Sequence, residues 1–301
     1  MNYSFIKEIC RKYGTDYAEN EALAEYTSFK IGGECPILVK PNGSDCLCAL
    51  LKAFKREKCP YRVMGKGSNL LISDRGVNCP VIMLSADMGR IDFSEDGRAI
   101  VGSGAALISV CREAADRALS GLEFAYGIPG SVGGAVYMNA GAFGGEMKDI
   151  VLGCTYADAD GELHKIKKDD MELSYRHSFF SGKSLIITEV EIQLQNGDKD
   201  AVNEKMSELM ERRRDKQPLE YPSAGSTFKR PEGDFAGRII EEAGLKGFTV
   251  GGAQVSEKHC GFVVNKGGAG FKDVMGVIDE VKRRVKESSG RELECEVVIW
   301  E

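Results

Sequence analysis

Clustered glycine is the feature that most constrains this chain. Of its 301 residues 36 are glycine, roughly 12% where about 7% is usual. They gather in GKGSNLLISD (Gly65–Asp74) and GIPGSVGGAVYMNAGAFGGEM (Gly127–Met147) rather than recurring at a fixed period, which excludes collagen and flexible linker. Glycine lets backbone adopt positive φ and lets a ligand approach the main chain closely. In the first cluster a short strand, Tyr61–Met64, leads into Gly65, Gly67, Ser68 and Asn69, where successive N–H groups can form a concavity for anionic oxygens. In the second, Gly127, Gly130, Gly133 and Gly134 surround Pro129 and Ser131 ahead of an apolar helix start. That arrangement predicts free N–H groups at a helix N-terminus. The plain alternative is a pair of tight turns, but two such loops, each beside a buried strand, favour ligand binding. The familiar phosphate motifs fail. Gly182-Lys183-Ser184 ends like a P-loop, yet position 177 is histidine where glycine is required. Gly65-Lys66-Gly67 and Gly102-Ser103-Gly104 open a GxGxxG and close on leucine. Any nucleotide is held another way.

Strands and helices surround these loops without a strict βαβ rhythm, which predicts an α+β fold. Ser44 is positioned to N-cap a helix with Leu47, Leu50, Leu51 and Phe54 on one face. Cys79–Leu84 reads as a buried strand and Arg98–Gly102 as another. A helix follows with Leu107, Ile108, Cys111, Ala114, Ala115, Ala118 and Leu119 on one side, ended by Ser120-Gly121. A hairpin turns at Asp160-Gly161, and the strand beginning at Ser184 closes this block near Leu194. The Asn196–Asp200 stretch reads as a domain boundary. Beyond it come helices carrying Val202, Met206, Leu209 and Met210, then Phe235–Ala243, then Val274–Val285, and a final strand, ELECEVVIW. Expected domains are 1–199, in lobes of about 1–85 and 86–199, and 200–301.

Composition narrows the function. The chain is 43% apolar, and no apolar run approaches the roughly 18–20 residues of a membrane-spanning helix. The opening MNYSFIKEICRKYG lacks the apolar core of a signal peptide. A net charge of −6 argues against general nucleic-acid binding. A cytoplasmic protein is expected. The ten cysteines contain no C-x-x-C pair and only three histidines accompany them, so reduced thiols and no metal site are expected.

Three polar residues have two readings each. Ser226, in PSAGSTFKRPEG, opens an S-x-x-K, but serine acyl-transfer also wants S-D-N and K-T-G. Here Ser73-Asp74-Arg75 stands and K-T-G is missing. A turn serine is the alternative, yet Gly225 on one side and Lys229-Arg230 on the other put a small hydroxyl beside two cations, which suits an anionic substrate. Glu296 alternates with apolar residues in the last strand. Leu293, Cys295, Val297 and Ile299 share one face; Glu294, Glu296, Val298 and Trp300 share the other. Taken alone, Glu296 reads as a solvated edge residue. Arg176, in SYRHSFF, has the same ambiguity, and His177 reads as a surface or packing residue.

Taken together, six segments in order resemble the UDP-N-acetylenolpyruvoylglucosamine reductase family, flavoenzymes that make UDP-N-acetylmuramate for peptidoglycan. The resemblance runs from YTSFKIGG (Tyr26–Gly33) onward, and the six are GKGSNLLISD, the Gly127–Met147 run, SYRHSFF, PSAGSTFKRP, GLKGFTVGGAQVSEKHCGFVVN and LECEVVI. The resemblance implies a two-lobed flavin-binding region of p-cresol methylhydroxylase type and a C-terminal α+β substrate domain. It implies that FAD lies against Gly65, Lys66, Gly67, Ser68, Asn69 and Leu70, and against Gly127, Pro129, Gly130, Ser131, Gly133, Gly134, Asn139 and Gly141. It matches Arg176 to the family's catalytic arginine, Ser226 to its proton donor and Glu296 to its catalytic glutamate. NADPH is then the co-substrate and a small nucleotide sugar the substrate, with no obligate protein partner. Only HSFFSGK follows Arg176 before the next strand, which resembles the class without an inserted tyrosine loop. By charge alone, Lys229, Arg230, Lys258 and His259 are candidates for holding the diphosphate. Residue chemistry by itself leaves two alternatives open: another FAD oxidoreductase on this scaffold, or a non-catalytic nucleotide-sugar binder.

Overall fold

The computed structural model describes residues 3–301; the first two residues of the MNYSFIKEIC stretch lie outside them. The described chain divides into two compact units, one of residues 3–19, 37–66 and 79–211, the other of residues 20–36, 67–78 and 212–301.

The first unit holds two apolar cores. In one, helices α1 (Ser4–Tyr13) and α2 (Ser44–Arg56) pack beside a parallel arrangement in which Glu34–Lys40 and Arg62–Met64 flank Val81–Met83. Leu47, Leu50, Leu51 and Phe54 are all buried, as the helical spacing predicts, and the Phe54 ring stacks on Tyr61 at 4.8 Å. The predicted cap moves by one residue. Gly43 is the N-cap and Ser44 begins the helix without a side-chain cap bond.

The other core lies on a five-stranded antiparallel sheet, ordered Leu163–Lys167, Val151–Ala157, Ile186–Gln193, Arg98–Gly102, Ile91–Phe93. Helices α3 (Leu107–Asp116) and α4 (Val132–Tyr137) contribute to it, as do Val202 and Met206 of α5 (Lys199–Lys216). α3 stops earlier than its apolar spacing predicts. Ala118 takes a left-handed φ of +56°, so the helix is over before Ser120-Gly121. The Asp160-Gly161 hairpin forms where predicted, with Asp158 accepting the N–H groups of Asp160 and Glu162 and Gly161 at φ +71°.

The second unit packs α6 (Ala236–Glu242) and α7 (Phe271–Ser289) on an antiparallel sheet of Thr249–Val250, Ala253–Val255 and Val263–Asn265. Positive-φ glycines Gly244 and Gly290 stop the two helices. Leu70–Ile72 pairs in parallel with Val298–Trp300. The Ser73 N–H then reaches the Trp300 carbonyl at 2.8 Å, and the Gly33 N–H reaches the Ser73 carbonyl at 2.8 Å. These bonds draw residues 20–36 and 67–78 into the unit containing residues 212–301. A linear boundary at 196–200 does not describe that exchange; α5 begins inside that stretch at Lys199, and the division between the units falls within the helix, at 211/212.

Candidate active site

The two glycine segments meet. A Cβ built on Gly65 would fall 2.3 Å from Ser131 Oγ, so no other residue fits at 65 without displacing Ser131. Ser131 is the N-cap of α4, and its hydroxyl accepts the Gly134 N–H at 3.4 Å. The predicted free N–H groups at this helix start are not free: Val132 donates to the Ala105 carbonyl and Gly133 to that of Ser103, both at 2.9 Å. The free donors lie just before the helix and in the first loop. Among the described residues, no acceptor takes the N–H of Gly127 or Ser131, nor that of Lys66, Gly67 or Ser68. An unpaired backbone group is costly where it is buried, and of these residues Gly67 and Ser131 are buried. Within the first unit, backbone donors at Lys66, Gly127 and Ser131, with no side chain at Gly65, fit a pyrophosphate-bearing cofactor.

Asn139 follows α4 with a left-handed φ of +40° and is wholly buried. Its amide donates to Glu146 Oε2 and to the Ser174 carbonyl, each at 2.9 Å, and its Oδ1 accepts the Lys148 N–H at 2.9 Å. Ser174 and His177 exchange backbone hydrogen bonds of 3.1 and 3.2 Å, closing a tight turn with Tyr175 and Arg176 at its tip. Arg176 takes φ +54° there, is half-buried, and sets its guanidinium over the Tyr175 ring at 4.9 Å. Arg176 belongs to the first unit.

Ser226 and Glu296 belong to the second, on neighbouring stretches of extended chain. Ser226 bridges Phe262 on one side, and Phe228 bridges Cys295 on the other. The Thr227 N–H reaches the Gly261 carbonyl and the Glu296 N–H reaches the Thr227 carbonyl, both at 2.8 Å. Thr227 is itself fully buried, with Oγ1 accepting the Val263 N–H. Asn69 Nδ2 donates to the Glu296 carbonyl at 3.0 Å. Ser226 is thus held from both sides, yet among the described residues nothing engages its half-buried hydroxyl. The alternation read from the last strand holds at Leu293 and Val297, which are buried; Trp300, on the opposite face, is buried too.

Each candidate for the diphosphate has a protein contact of its own. Lys229 pairs with Glu294, and Lys258 donates to the Arg214 carbonyl with Glu220 at 3.7 Å. Arg230 lies over the Phe235 ring at 4.8 Å. His259 accepts the Gly261 N–H on Nδ1 at 3.1 Å, and burial pushes its pKa down. It is therefore a neutral imidazole with its hydrogen on Nε2, a donor rather than a cation. Residue-level reading of the sequence missed Glu146. Its one signal is a carboxylate set inside a glycine-rich run.

Among the described residues, no helix is long and apolar enough to cross a membrane and no cluster of three metal-ligating side chains exists. Residues 36–167 match the model of an FAD binding domain, and residues 217–300 match that of the UDP-N-acetylenolpyruvoylglucosamine reductase C-terminal domain. The reductase of Agathobacter rectalis is 45% identical, the match spanning 99% of this chain and 98% of that one. That of Lachnoclostridium phytofermentans is also 45% identical, over 99% of this chain and 97% of its own. The crystal structure of the Thermus caldophilus reductase superposes with a TM-score of 0.80 at 36% identity, covering 95% of this chain and 99% of that one. With a flavin-binding α+β region and a reductase C-terminal domain in one chain, this protein belongs to the UDP-N-acetylenolpyruvoylglucosamine reductase family, the FAD- and NADPH-dependent enzymes of peptidoglycan precursor synthesis.

Proposed function

We propose that Arg176, Ser226 and Glu296 carry the chemistry of the enolpyruvyl reduction. Bound FAD supplies the hydride carrier between NADPH and the vinyl methylene carbon of the substrate. Addition of hydride there leaves negative charge on the neighbouring carbon and its carboxylate. Arg176 offers a planar fork of N–H donors to that anion, and Glu296 is a hydrogen-bonding partner for the guanidinium. Ser226 delivers a proton to the charged carbon as general acid.

The observation that carries this reading is the Ser226 hydroxyl. A serine kept for a turn spends its hydroxyl on nearby backbone. This one is half-buried on backbone fixed from both sides, with its O–H left unengaged. The FAD contacts we assign are Gly65 to Leu70 in the first loop and Gly127, Pro129, Gly130, Ser131, Gly133, Gly134 and Gly141 in the second. Lys229, Arg230, Lys258 and His259 are assigned to the substrate diphosphate, His259 as a neutral donor. Only residues 177–185 join Arg176 to the Ile186–Gln193 strand, which supports the class without a tyrosine insertion. The reading is completed by a cytoplasmic location, by function without an obligate protein partner, and by substrate binding through the region from 200 onward.

Ser226→Ala tests it. FAD binding and NADPH-driven bleaching should stay close to wild type, because reduction of the flavin needs no proton on the substrate carbon. Reoxidation by the enolpyruvyl substrate should slow by about 10²–10⁴-fold, measured by stopped-flow flavin absorbance. Ser226→Cys should retain more activity than alanine. Reoxidation of the alanine variant at the wild-type rate would sink the assignment.

A further inference from the structure

Arg176 stands at the tip of a two-residue turn, where a side chain is poorly constrained unless the turn is fixed to something rigid. The turn is fixed at Ser174, whose carbonyl takes one amide hydrogen of Asn139 while the other goes to Glu146 Oε2. Asn139 is wholly buried, and its Oδ1 is held by the Lys148 N–H, so its plane cannot rotate without breaking three bonds. Glu146 is fixed in turn: its N–H donates to Asp149 at 2.8 Å, and its Oε2 also takes Lys148 Nζ at 2.8 Å. Gly141 packs against it so closely that a Cβ there would lie 2.6 Å from Glu146 Cγ.

We propose that Asn139 and Glu146 are positioning residues for Arg176: the amide ties the turn that carries the guanidinium to a carboxylate anchored a few residues further along, at Gly145–Glu146. This rests on the reading of Arg176 as the group that meets the substrate anion. The electrostatics agree. The Lys148 ammonium foremost, with the Asn139 amide and the Arg176 charge after it, holds the Glu146 carboxyl below the usual range against the opposing effect of burial. Asn139 therefore acts behind the arginine, with both amide hydrogens spent inside the protein, rather than on the cofactor. A misplaced guanidinium still attracts the substrate carboxylate but no longer meets the charge that develops during reduction. The loss falls on the reoxidation rate more than on substrate affinity.

The experiment is a double-substitution cycle between E146Q and R176K, read in both half-reactions. E146Q should keep its FAD and be bleached by NADPH at near the wild-type rate. Its reoxidation by the enolpyruvyl substrate should slow by about 10–100-fold, with the calorimetric Kd of that substrate changed by less than about threefold. In the R176K background, E146Q should slow reoxidation by less than about twofold further, because the group it positions is already gone. If E146Q loses its FAD, E146D, which keeps the charge one methylene short, enters the same cycle. Equal effects of the Glu146 substitution in both backgrounds overturn the positioning role and leave Arg176 catalytic. Wild-type reoxidation in R176K alone overturns the catalytic reading and this inference with it.

Discussion

Arg176 shows how much one side chain's geometry matters. Its charge alone does not distinguish it from the lysines around it, but a guanidinium holds two oxygens in one plane and an ammonium is a point charge. Arg176→Lys should lower the reoxidation rate by about 10²–10³-fold, the range for losing a donor aimed at a developing oxyanion, while FAD absorbance is unchanged. Gly65 is constrained by space instead. An alanine methyl would stand 2.3 Å from Ser131 Oγ, so Gly65→Ala must turn the Ser131 hydroxyl away from the Gly134 N–H that it caps and set a methyl on otherwise bare loop backbone. The variant should purify with much less than one flavin per chain, measured by absorbance after denaturation. The glycine run around Gly65 is a local pattern legible from sequence, whereas Arg176 is ambiguous by itself and is singled out only by the family resemblance of SYRHSFF. The Gly65–Ser131 contact and the tie from Asn139 to Ser174 were not legible. They join residues 66 and 35 positions apart, and nothing in a linear pattern encodes such a meeting.

At the level of elements, periodicity served helices well and strands less well. α2 and α7 follow their apolar spacing because each lays one stripe against a core. Their ends are set by backbone geometry that side-chain spacing does not report, hence the cap at Gly43 and the left-handed Ala118. Strands such as Val81–Met83 are three residues long, too short for alternation to fix their limits. The α4 start is the instructive miss: its N–H groups are spent on carbonyls of Ser103 and Ala105, from a segment some 30 residues earlier. In α7, Val274, Val277, Ile278, Val281 and Val285 are all fully buried. Ile278→Ala should cost about 2–5 kcal/mol, seen as a lower urea midpoint for loss of helical signal. An unchanged midpoint would mean the α7 core can collapse around the missing atoms.

For the molecule as a whole, thiols give a direct check. None of the ten cysteines forms a disulfide, and Cys48, Cys79 and Cys295 are the ones only half-buried. Burial pushes the Cys10 and Cys154 thiols up to about 12, so both remain protonated at pH 8 and lack the reactive thiolate. A thiol reagent at pH 8 should label the three half-buried positions first and all ten only after denaturation. Rapid labelling of Cys154 in the native protein would contradict the packing. The pairing of Leu70–Ile72 with Val298–Trp300 has a consequence in time. During synthesis Leu70 leaves the ribosome 228 residues before its partner Val298 exists. At about 5–20 residues per second, that is a wait of roughly 10–45 s. Throughout it, an apolar Leu-Leu-Ile segment presents unpaired backbone to anything nearby. The second unit therefore cannot complete itself in chain order: its earliest segments wait for the Val298–Trp300 strand before that pairing can close.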